Sequence, residues 1–174
     1  AWLTLANLRH AAGDEDGANA ACLQHVAVSA QDPELLACAD ALAQGDLPVA
    51  ETRLRARLAK EPFDVAALRM LAELAVRLGH NDEAAVLLEH ALERAPGFDA
   101  ARRNYAAVLN RGNRHAEALA EIDALLERSP ADPSLRNMRA VVLGKLEDFD
   151  GAIATYEAVL ARTPGQWQVW LGYG

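Results

Sequence analysis

The chain has 174 residues, of which 38 are alanine and 26 are leucine, whereas valine, isoleucine and threonine together number only 17. Alanine and leucine favour helices, and strands favour β-branched and aromatic residues, so the composition predicts an all-α protein and excludes an extended sheet. The net charge of −8 argues against a nucleic-acid-binding protein, because such proteins concentrate positive charge. No apolar run approaches the roughly 20 residues that a membrane-spanning helix needs.

The first residues, AWLTLANLRH, lack the basic start and apolar stretch of a secretory signal, and they include no methionine. We therefore expect the chain to be a piece of a longer protein that is located in the cytoplasm. Its two cysteines, Cys22 and Cys38, are too few for a disulfide framework in a chain of this length. Both fall where apolar residues are expected to pack, which predicts small buried hydrophobes.

A period of 34 residues runs along the chain in four independent series. The series are Cys38, Ala72, Ala106 and Ala140; Ala50, Ala84, Ala118 and Ala152; Leu58, Leu92, Leu126 and Leu160; and Pro62, Pro96, Pro130 and Pro164. In chain order the period predicts five helix pairs and the start of a sixth, at about residues 1–30, 31–64, 65–98, 99–132, 133–166 and 167–174. The first interval is shorter, since Gly13 and Gly45 are 32 residues apart.

The third pair shows how each unit is built. Asp64 is suited to cap the first helix, which should end near Gly79. The second helix, NDEAAVLLEHALER, begins with acidic residues and ends with Arg94, as the helix dipole favours, and Pro96 stops it. Small residues at the crossing positions allow the two helices to approach closely.

This pattern resembles the tetratricopeptide repeat (TPR). The resemblance implies a right-handed α-α superhelix, a TPR solenoid of antiparallel helix pairs, with residues 1–174 forming a single array of about five repeats plus part of a sixth. Pentatricopeptide repeats bind RNA and should be basic, and HEAT repeats are about 40–47 residues long. The charge disfavours the first alternative and the period disfavours the second.

Three charged or polar residues depart from the pattern. Arg139 stands where Leu71 and Tyr105 stand in other repeats, and it must reach solvent or find a partner. Arg57 and His25 occupy a position that is small or apolar in the later repeats. We expect these two to loosen the packing of the first two repeats.

In the resembled family, the first helix of each repeat lines a concave surface. In the third to fifth repeats, helical spacing selects a mostly cationic and amide-bearing set of groove contacts. The set consists of Arg69, Glu73, Arg77, Arg103, Asn104, Asn110, Arg111, Asn137 and Lys145. The first two repeats should present a more apolar groove, with Leu3, Leu35, Leu36 and Leu42 beside Asn7 and His10.

The cationic set predicts a protein-interaction scaffold that binds a protein or peptide, and its arginine forks favour an acidic one. The alternative interpretation is an ordinary solvated helix face. A subset of the family holds chaperone C-terminal carboxylates in a Lys/Asn/Asn/Lys/Arg clamp. Only Arg69 and Asn104 suit such a clamp, because Glu73, Ser134 and Met138 stand where clamp residues are required.

We find no pattern of residues that predicts catalysis, a metal site or a cofactor site. The five histidines show no i, i+4 pairing with one another or with a cysteine, so no zinc-type cluster is predicted. The acidic residues of the second helices have the spacing of a solvated face, and no glycine-rich phosphate loop follows a strand. The chain is therefore not expected to be an enzyme.

Residues 64–174 also resemble the repeat region of bacterial TPR-containing sulfotransferase proteins, through PFDVAALRMLAELAVRLG, FDAARRNYAAVLNR and QWQVWLGYG. That resemblance implies a following catalytic domain that uses the sulfonate donor PAPS, although no PAPS-binding residue lies in this chain. A third hypothesis is self-association at the C-terminal end. There, Trp167 and Trp170 would belong to a sixth repeat that is cut short.

Overall fold

A computed structural model of the protein describes residues 1–161, and these form ten α-helices and no strand. The helices are α1 (Trp2–Ala11), α2 (Glu15–Ser29), α3 (Pro33–Gln44), α4 (Leu47–Lys60), α5 (Val65–Arg77), α6 (Asn81–Arg94), α7 (Asp99–Arg111), α8 (His115–Arg128), α9 (Pro133–Lys145) and α10 (Phe149–Leu160). The predicted all-α class and the five helix pairs are confirmed. The start of a sixth repeat, with Trp167 and Trp170, lies outside the described residues.

Aspartates begin most of these helices by capping them. Asp64 accepts hydrogen bonds from the backbone N–H groups of Ala66 and Ala67 at the start of α5, as predicted. The helices α2, α3, α4, α9 and α10 are capped in the same way, by Asp14, Asp32, Asp46, Asp132 and Asp148. Each cap satisfies backbone donors that have no partner inside the helix.

The turn between the two helices of a pair requires a left-handed backbone conformation. Gly13, Gly45 and Gly79 adopt φ values of 77°, 77° and 82° in the first three pairs. At the equivalent positions of the fourth and fifth pairs, Asn113 has φ 59° and Glu147 has φ 63°. Asparagine tolerates this conformation, whereas glutamate is strained in it, by about 1–2 kcal/mol.

The helices form two compact units, residues 1–108 and a second unit that begins at Leu109. In the first unit, α3, α4 and α5 share a core that includes Cys38, Ala50, Leu54 and Leu71. The crossing residues Cys38 and Ala50 in this core are at most 1% exposed, which confirms that they permit close helix approach. The prediction of a single array over the whole chain stays a prediction.

The second unit has its own core. Ile122 and Leu125 of α8, Leu135 of α9 and Val159 of α10 are at most 3% exposed. The crossing residue Ala118 is fully buried among them. The helix α9 packs against both α8 and α10.

In the first unit, the first hairpin packs on the third. In a regular solenoid each hairpin contacts mainly its neighbours in the chain. Here the main contacts of α2 outside its own hairpin are with α5 and α6. Asn19 Oδ1 also accepts a hydrogen bond of 3.0 Å from the backbone N–H of Gly97, just beyond α6.

The side chain of Asp64 lies at the centre of this packing and is fully buried. Its Oδ2 accepts a hydrogen bond of 2.5 Å from Arg57 Nε of α4, and its Oδ1 lies 3.3 Å from His25 Nε2 of α2. Burial alone would raise the pKa of Asp64, but the hydrogen bonds from His25, Arg57 and the Ala67 N–H hold it below its ordinary value.

Three further carboxylates lie near the Arg57 guanidinium. Its Nη1 lies 2.9 Å from Asp32 and 3.3 Å from Glu34, and its Nη2 lies 3.6 Å from Glu61. The pKa of Arg57, which burial would lower, is raised by Asp64 and Asp32. The expectation that Arg57 and His25 loosen the packing is therefore wrong, because both side chains join one buried network that links the first three hairpins.

We predict that Asp64→Asn lowers the free energy of unfolding by about 2–4 kcal/mol, because Asn keeps the cap but leaves Arg57 without its most buried counter-charge. Asp46→Asn, which alters a cap without a buried arginine, should change stability by less than about 0.5 kcal/mol. Chemical unfolding followed by circular dichroism measures both. Equal effects of the two variants would contradict this role of the Asp64 network.

The same pair of proteins tests the depressed pKa of Asp64. A carboxylate whose pKa is lower in the folded state stabilises fully above its unfolded pKa of about 3.9 and loses that contribution as the pH falls through its folded pKa. The stability difference between wild type and Asp64→Asn should therefore be present at about pH 5 and shrink as the pH falls below about 4. A difference that grows between about pH 5 and about pH 2 would contradict this.

We expect Glu147→Gly to raise the free energy of unfolding by about 0.5–1 kcal/mol, because glycine relieves the left-handed strain at little cost in chain entropy. The control Ala120→Gly, at an exposed position inside α8, should instead lower stability by about 1 kcal/mol. Thermal unfolding of both variants distinguishes local strain relief from a general effect of glycine. A destabilised Glu147→Gly protein would refute the strain.

Candidate functional site

On α5, the structure brings together three of the predicted groove contacts. Arg69 Nη1 lies 3.6 Å from Glu73 Oε2, and Arg77 Nη2 lies 2.8 Å from Glu73 Oε1. These are i, i+4 pairs on one side of the helix. The acidic residue therefore sits between the two arginines and balances one of their two charges.

Arg77 also has a structural contact. Its Nη1 donates a hydrogen bond of 2.5 Å to the backbone carbonyl of Leu42, near the C-terminus of α3. The Leu42 carbonyl also accepts a 3.2 Å hydrogen bond from the Gly45 backbone N–H, so Arg77 adds a cationic donor at the C-terminus of α3, where the helix dipole favours positive charge. Arg77 thus links the second and third hairpins, and Arg69 has more of its hydrogen-bonding capacity available to a ligand.

The other predicted contacts lie on α7 and α9. In the first unit, Arg103 and Asn104 are half-buried on α7. In the second unit, Arg111 and Lys145 are exposed at the ends of α7 and α9, and Asn137 is half-buried. Asn110 Oδ1 lies 2.9 Å from His115 Nδ1, so that amide supports the turn into α8.

The apolar groove predicted for the first two repeats is not formed as expected. Leu3, Leu35 and Leu42 are 8%, 4% and 4% exposed, and of the four leucines only Leu36, at 48%, faces solvent. Leu35 and Leu42 belong to the core shared by α3, α4 and α5, so their apolar surface is already covered. In the third repeat, Met70 is buried in that core as well.

The Asp64 network brings three possible metal ligands within reach of one another, which the sequence spacing did not indicate. One ligand atom each of His25, Glu61 and Asp64 lies within 4.8 Å of the others. However, both oxygens of Asp64 accept hydrogen bonds, and the guanidinium of Arg57 contacts Asp64 and lies 3.6 Å from Glu61. The arrangement is that of a buried ion-pair network, in which a metal ion would have to compete with Arg57.

The two cysteines behave as predicted from their register. Cys22 and Cys38 are buried free thiols, and burial raises the pKa of each. A raised thiol pKa disfavours the nucleophilic thiolate.

Sequence reasoning missed the Asp64 network, although it identified Arg57 and His25 as exceptions. Those exceptions were the available signal, because a charged side chain at a small-residue position must find a partner or reach solvent. For Arg139 the expectation is confirmed: Arg139 Nε donates a 2.8 Å hydrogen bond to Asp123.

Two family models match the chain, both described as tetratricopeptide repeat. One matches residues 75–142, and the other matches residues 39–85 and 137–174. The comparison with curated proteins gives no significant match. Among the helices of residues 1–161, none is long and apolar enough to cross a membrane.

Solved structures show the same fold at low sequence identity. A TPR protein from Parabacteroides merdae is 16% identical, with a TM-score of 0.74 over 98% of this chain and 69% of that one. A thermophilic TPR protein from Thermus thermophilus is 20% identical, with a TM-score of 0.66 over 99% and 95% of the two chains. YrrB, described as a TPR protein with an unusual peptide-binding site, is 17% identical, with a TM-score of 0.69 over 94% and 86%.

These structural similarities confirm the predicted TPR solenoid class, and the two family models together span residues 39–174. A repeat family of this kind provides surfaces for protein–protein interaction. The chain belongs to the tetratricopeptide repeat family.

Proposed function

We propose that this scaffold binds an acidic peptide, or an acidic segment of a partner domain, against the first helices of its repeats. The observation that carries the proposal is charge segregation. The whole protein has a net charge of −8, yet the solvent-facing side of α5 carries Arg69 and Arg77 against the single acid Glu73. A cationic strip on an acidic protein attracts acidic ligands and repels the same strip on other copies.

The pairing on α5 supports reversible binding. Exposed ion pairs contribute only about 0–1 kcal/mol, so a ligand carboxylate can displace Glu73 from Arg69 at little cost. The Arg69–Glu73 separation of 3.6 Å is longer than a hydrogen-bonded ion pair, which leaves the guanidinium fork available for a bidentate contact. Glu73 then acts as an internal competitor that lowers affinity for weakly acidic ligands.

The second unit carries a comparable set of donors. Asn137 and Lys145 lie on α9, and Arg111 lies at the end of α7. We propose that these side chains contact a ligand in the same manner within their own unit. YrrB, a TPR protein with an unusual peptide-binding site, supports the proposal that a protein of this fold binds a peptide.

Two other functions stay open as proposals. The resemblance of residues 64–174 to bacterial TPR-containing sulfotransferase proteins favours a role as the substrate- or partner-presenting arm of a PAPS-dependent enzyme. The intact mass of the native protein, compared with the 18.7 kDa of this chain, tests that proposal.

Exposed Phe149 and Ile153 on α10 favour self-association, which light scattering tests. The cytoplasm is the proposed location in each case.

A phage-displayed library of random peptides, each of about 12 residues, tests the acidic-ligand proposal. We expect the selected peptides to be enriched in Asp and Glu, and their affinity to fall steeply between about 50 mM and 500 mM NaCl. Arg69→Glu combined with Arg103→Glu should weaken binding by about tenfold or more in fluorescence anisotropy titrations.

The matched control is Arg53→Glu combined with Lys60→Glu, which makes the same total charge change at two exposed positions on α4, the second helix of its pair. It should leave the affinity within about twofold, since it lies away from the proposed surface. Selected peptides without acidic enrichment, or equal losses in the control and in the Arg69→Glu, Arg103→Glu variant, would refute the proposal.

We predict that Glu73→Gln strengthens binding of a selected acidic peptide by about two- to fivefold, because it frees both neighbouring arginines from an exposed ion pair worth up to about 1 kcal/mol. Thermal stability should change little. The affinity gain should disappear at about 500 mM NaCl, where exposed charges are screened. Unchanged or weaker binding at low salt would show that Glu73 does not compete with the ligand.

A further inference from the structure

A hollow of about 410 Å³ lies in the second unit, between the end of α8 and the helices α9 and α10. Gly151, Ala154 and Ala158 give its α10 wall little side-chain bulk, and Arg136 and Arg139 of α9 also line it. Its volume is within the range of about 300–1,000 Å³ that small-molecule sites occupy. We call it the α9–α10 hollow.

Arg136 is held at one end of its guanidinium. Its Nε donates a 2.9 Å hydrogen bond to the backbone carbonyl of Pro130. Among residues 1–161, Nη1 and Nη2 of Arg136 have no hydrogen-bond or ion-pair partner. The anchored Nε restricts the orientation of the side chain, so less conformational entropy is lost when these two groups bind a ligand.

Arg139 is held more firmly. Its Nε donates to Asp123 at 2.8 Å, and its Nη1 donates to Thr155 Oγ1 at 3.1 Å. The Thr155 hydroxyl in turn donates to the backbone carbonyl of Gly151 at 2.7 Å. Within the described part of the chain, Nη2 of Arg139 has no partner, so the second arginine also keeps a donor available.

The charged side chains that line or contact the hollow have one net positive charge. Asp123 balances Arg139, and Arg136 has no carboxylate partner among the described residues. One net positive charge and several open N–H donors match one carboxylate, which accepts hydrogen bonds on both oxygens. The small side chains of α10 leave room for the aliphatic part of the same ligand.

We propose that the α9–α10 hollow binds an aliphatic carboxylate, held by the open guanidinium nitrogens of Arg136 and Arg139. This site is separate from the proposed peptide-binding surface. On α9, Arg136 and Arg139 are three residues apart and share one side, whereas Asn137 and Lys145 lie on another side of the helix. The two proposals can therefore fail independently.

The test is a titration of the full chain, labelled with the heavy nitrogen isotope, in which the arginine Nε–Hε signals are followed by NMR. The probes are pentanoate, which is an aliphatic monocarboxylate, an N-acetylated and C-amidated peptide with one glutamate, and inorganic phosphate. We expect saturable shifts of the Arg136 and Arg139 signals with pentanoate. An equal or stronger response to the glutamate peptide would identify the carboxylate source as a protein side chain, in support of the proposal.

Two variants and one control define the site. Arg136→Gln should weaken pentanoate binding by about tenfold or more, since it removes the charge and the open guanidinium donors. Ala158→Phe, which fills the hollow without changing its charge, should abolish binding. Ala158 is exposed, so its replacement does not disturb the core. Lys145→Gln removes the same charge from the other side of α9 and should change the affinity by less than about twofold.

Three results would overturn the proposal. The first is a non-saturating response, or equal shifts of Arg69 in the first unit, which would indicate non-specific ionic contact. The second is unchanged binding in folded Ala158→Phe protein. The third is tighter binding of phosphate than of pentanoate, since phosphate carries more than one negative charge at neutral pH and the hollow has one net positive charge.

Discussion

One buried carboxylate, that of Asp64, determines how the first three hairpins pack. It caps α5, accepts a hydrogen bond from Arg57 of α4 and lies 3.3 Å from His25 of α2. A buried charge is tolerated only where it is paired and hydrogen-bonded, so the loss of one of these partners destabilises the unit. The first hairpin packs on the third, whereas in a regular solenoid each hairpin contacts mainly its neighbours in the chain.

Most of the fold could be predicted from the repeat period. Small residues at fixed spacing determine where helices cross, aspartates mark helix starts, and glycines mark the left-handed turns. The period could not reveal the Asp64 network, because its members come from three different repeats and are not equivalent positions. Arg57 and His25 were visible as exceptions, but Asp64 already had an explanation as a helix cap. Its second role depends on which hairpin α2 packs against, and that follows from tertiary packing rather than from local sequence.

The sequence predicted which helix face forms the candidate surface, but it could not predict which side chains on that face a ligand can contact. Helical spacing correctly placed Arg69, Glu73 and Arg77 together on α5. It could not show that Arg77 reaches the carbonyl of Leu42 in another hairpin, or that Leu35 and Leu42 are covered by the core. Long side chains reach partners on other helices, so their use depends on the packing around them. Most of the leucines that were expected to make the groove apolar are therefore buried in the core.

The central functional claim is that an acidic ligand binds against the first helices of the repeats. The most direct measurement is NMR mapping of the full chain with the tightest-binding acidic peptide. We expect the largest chemical-shift changes at Arg69, Glu73 and Val76 on α5, with small changes on the exposed side of α6 at Glu89 and His90. Changes concentrated on α6, with α5 unaffected, would contradict the claim.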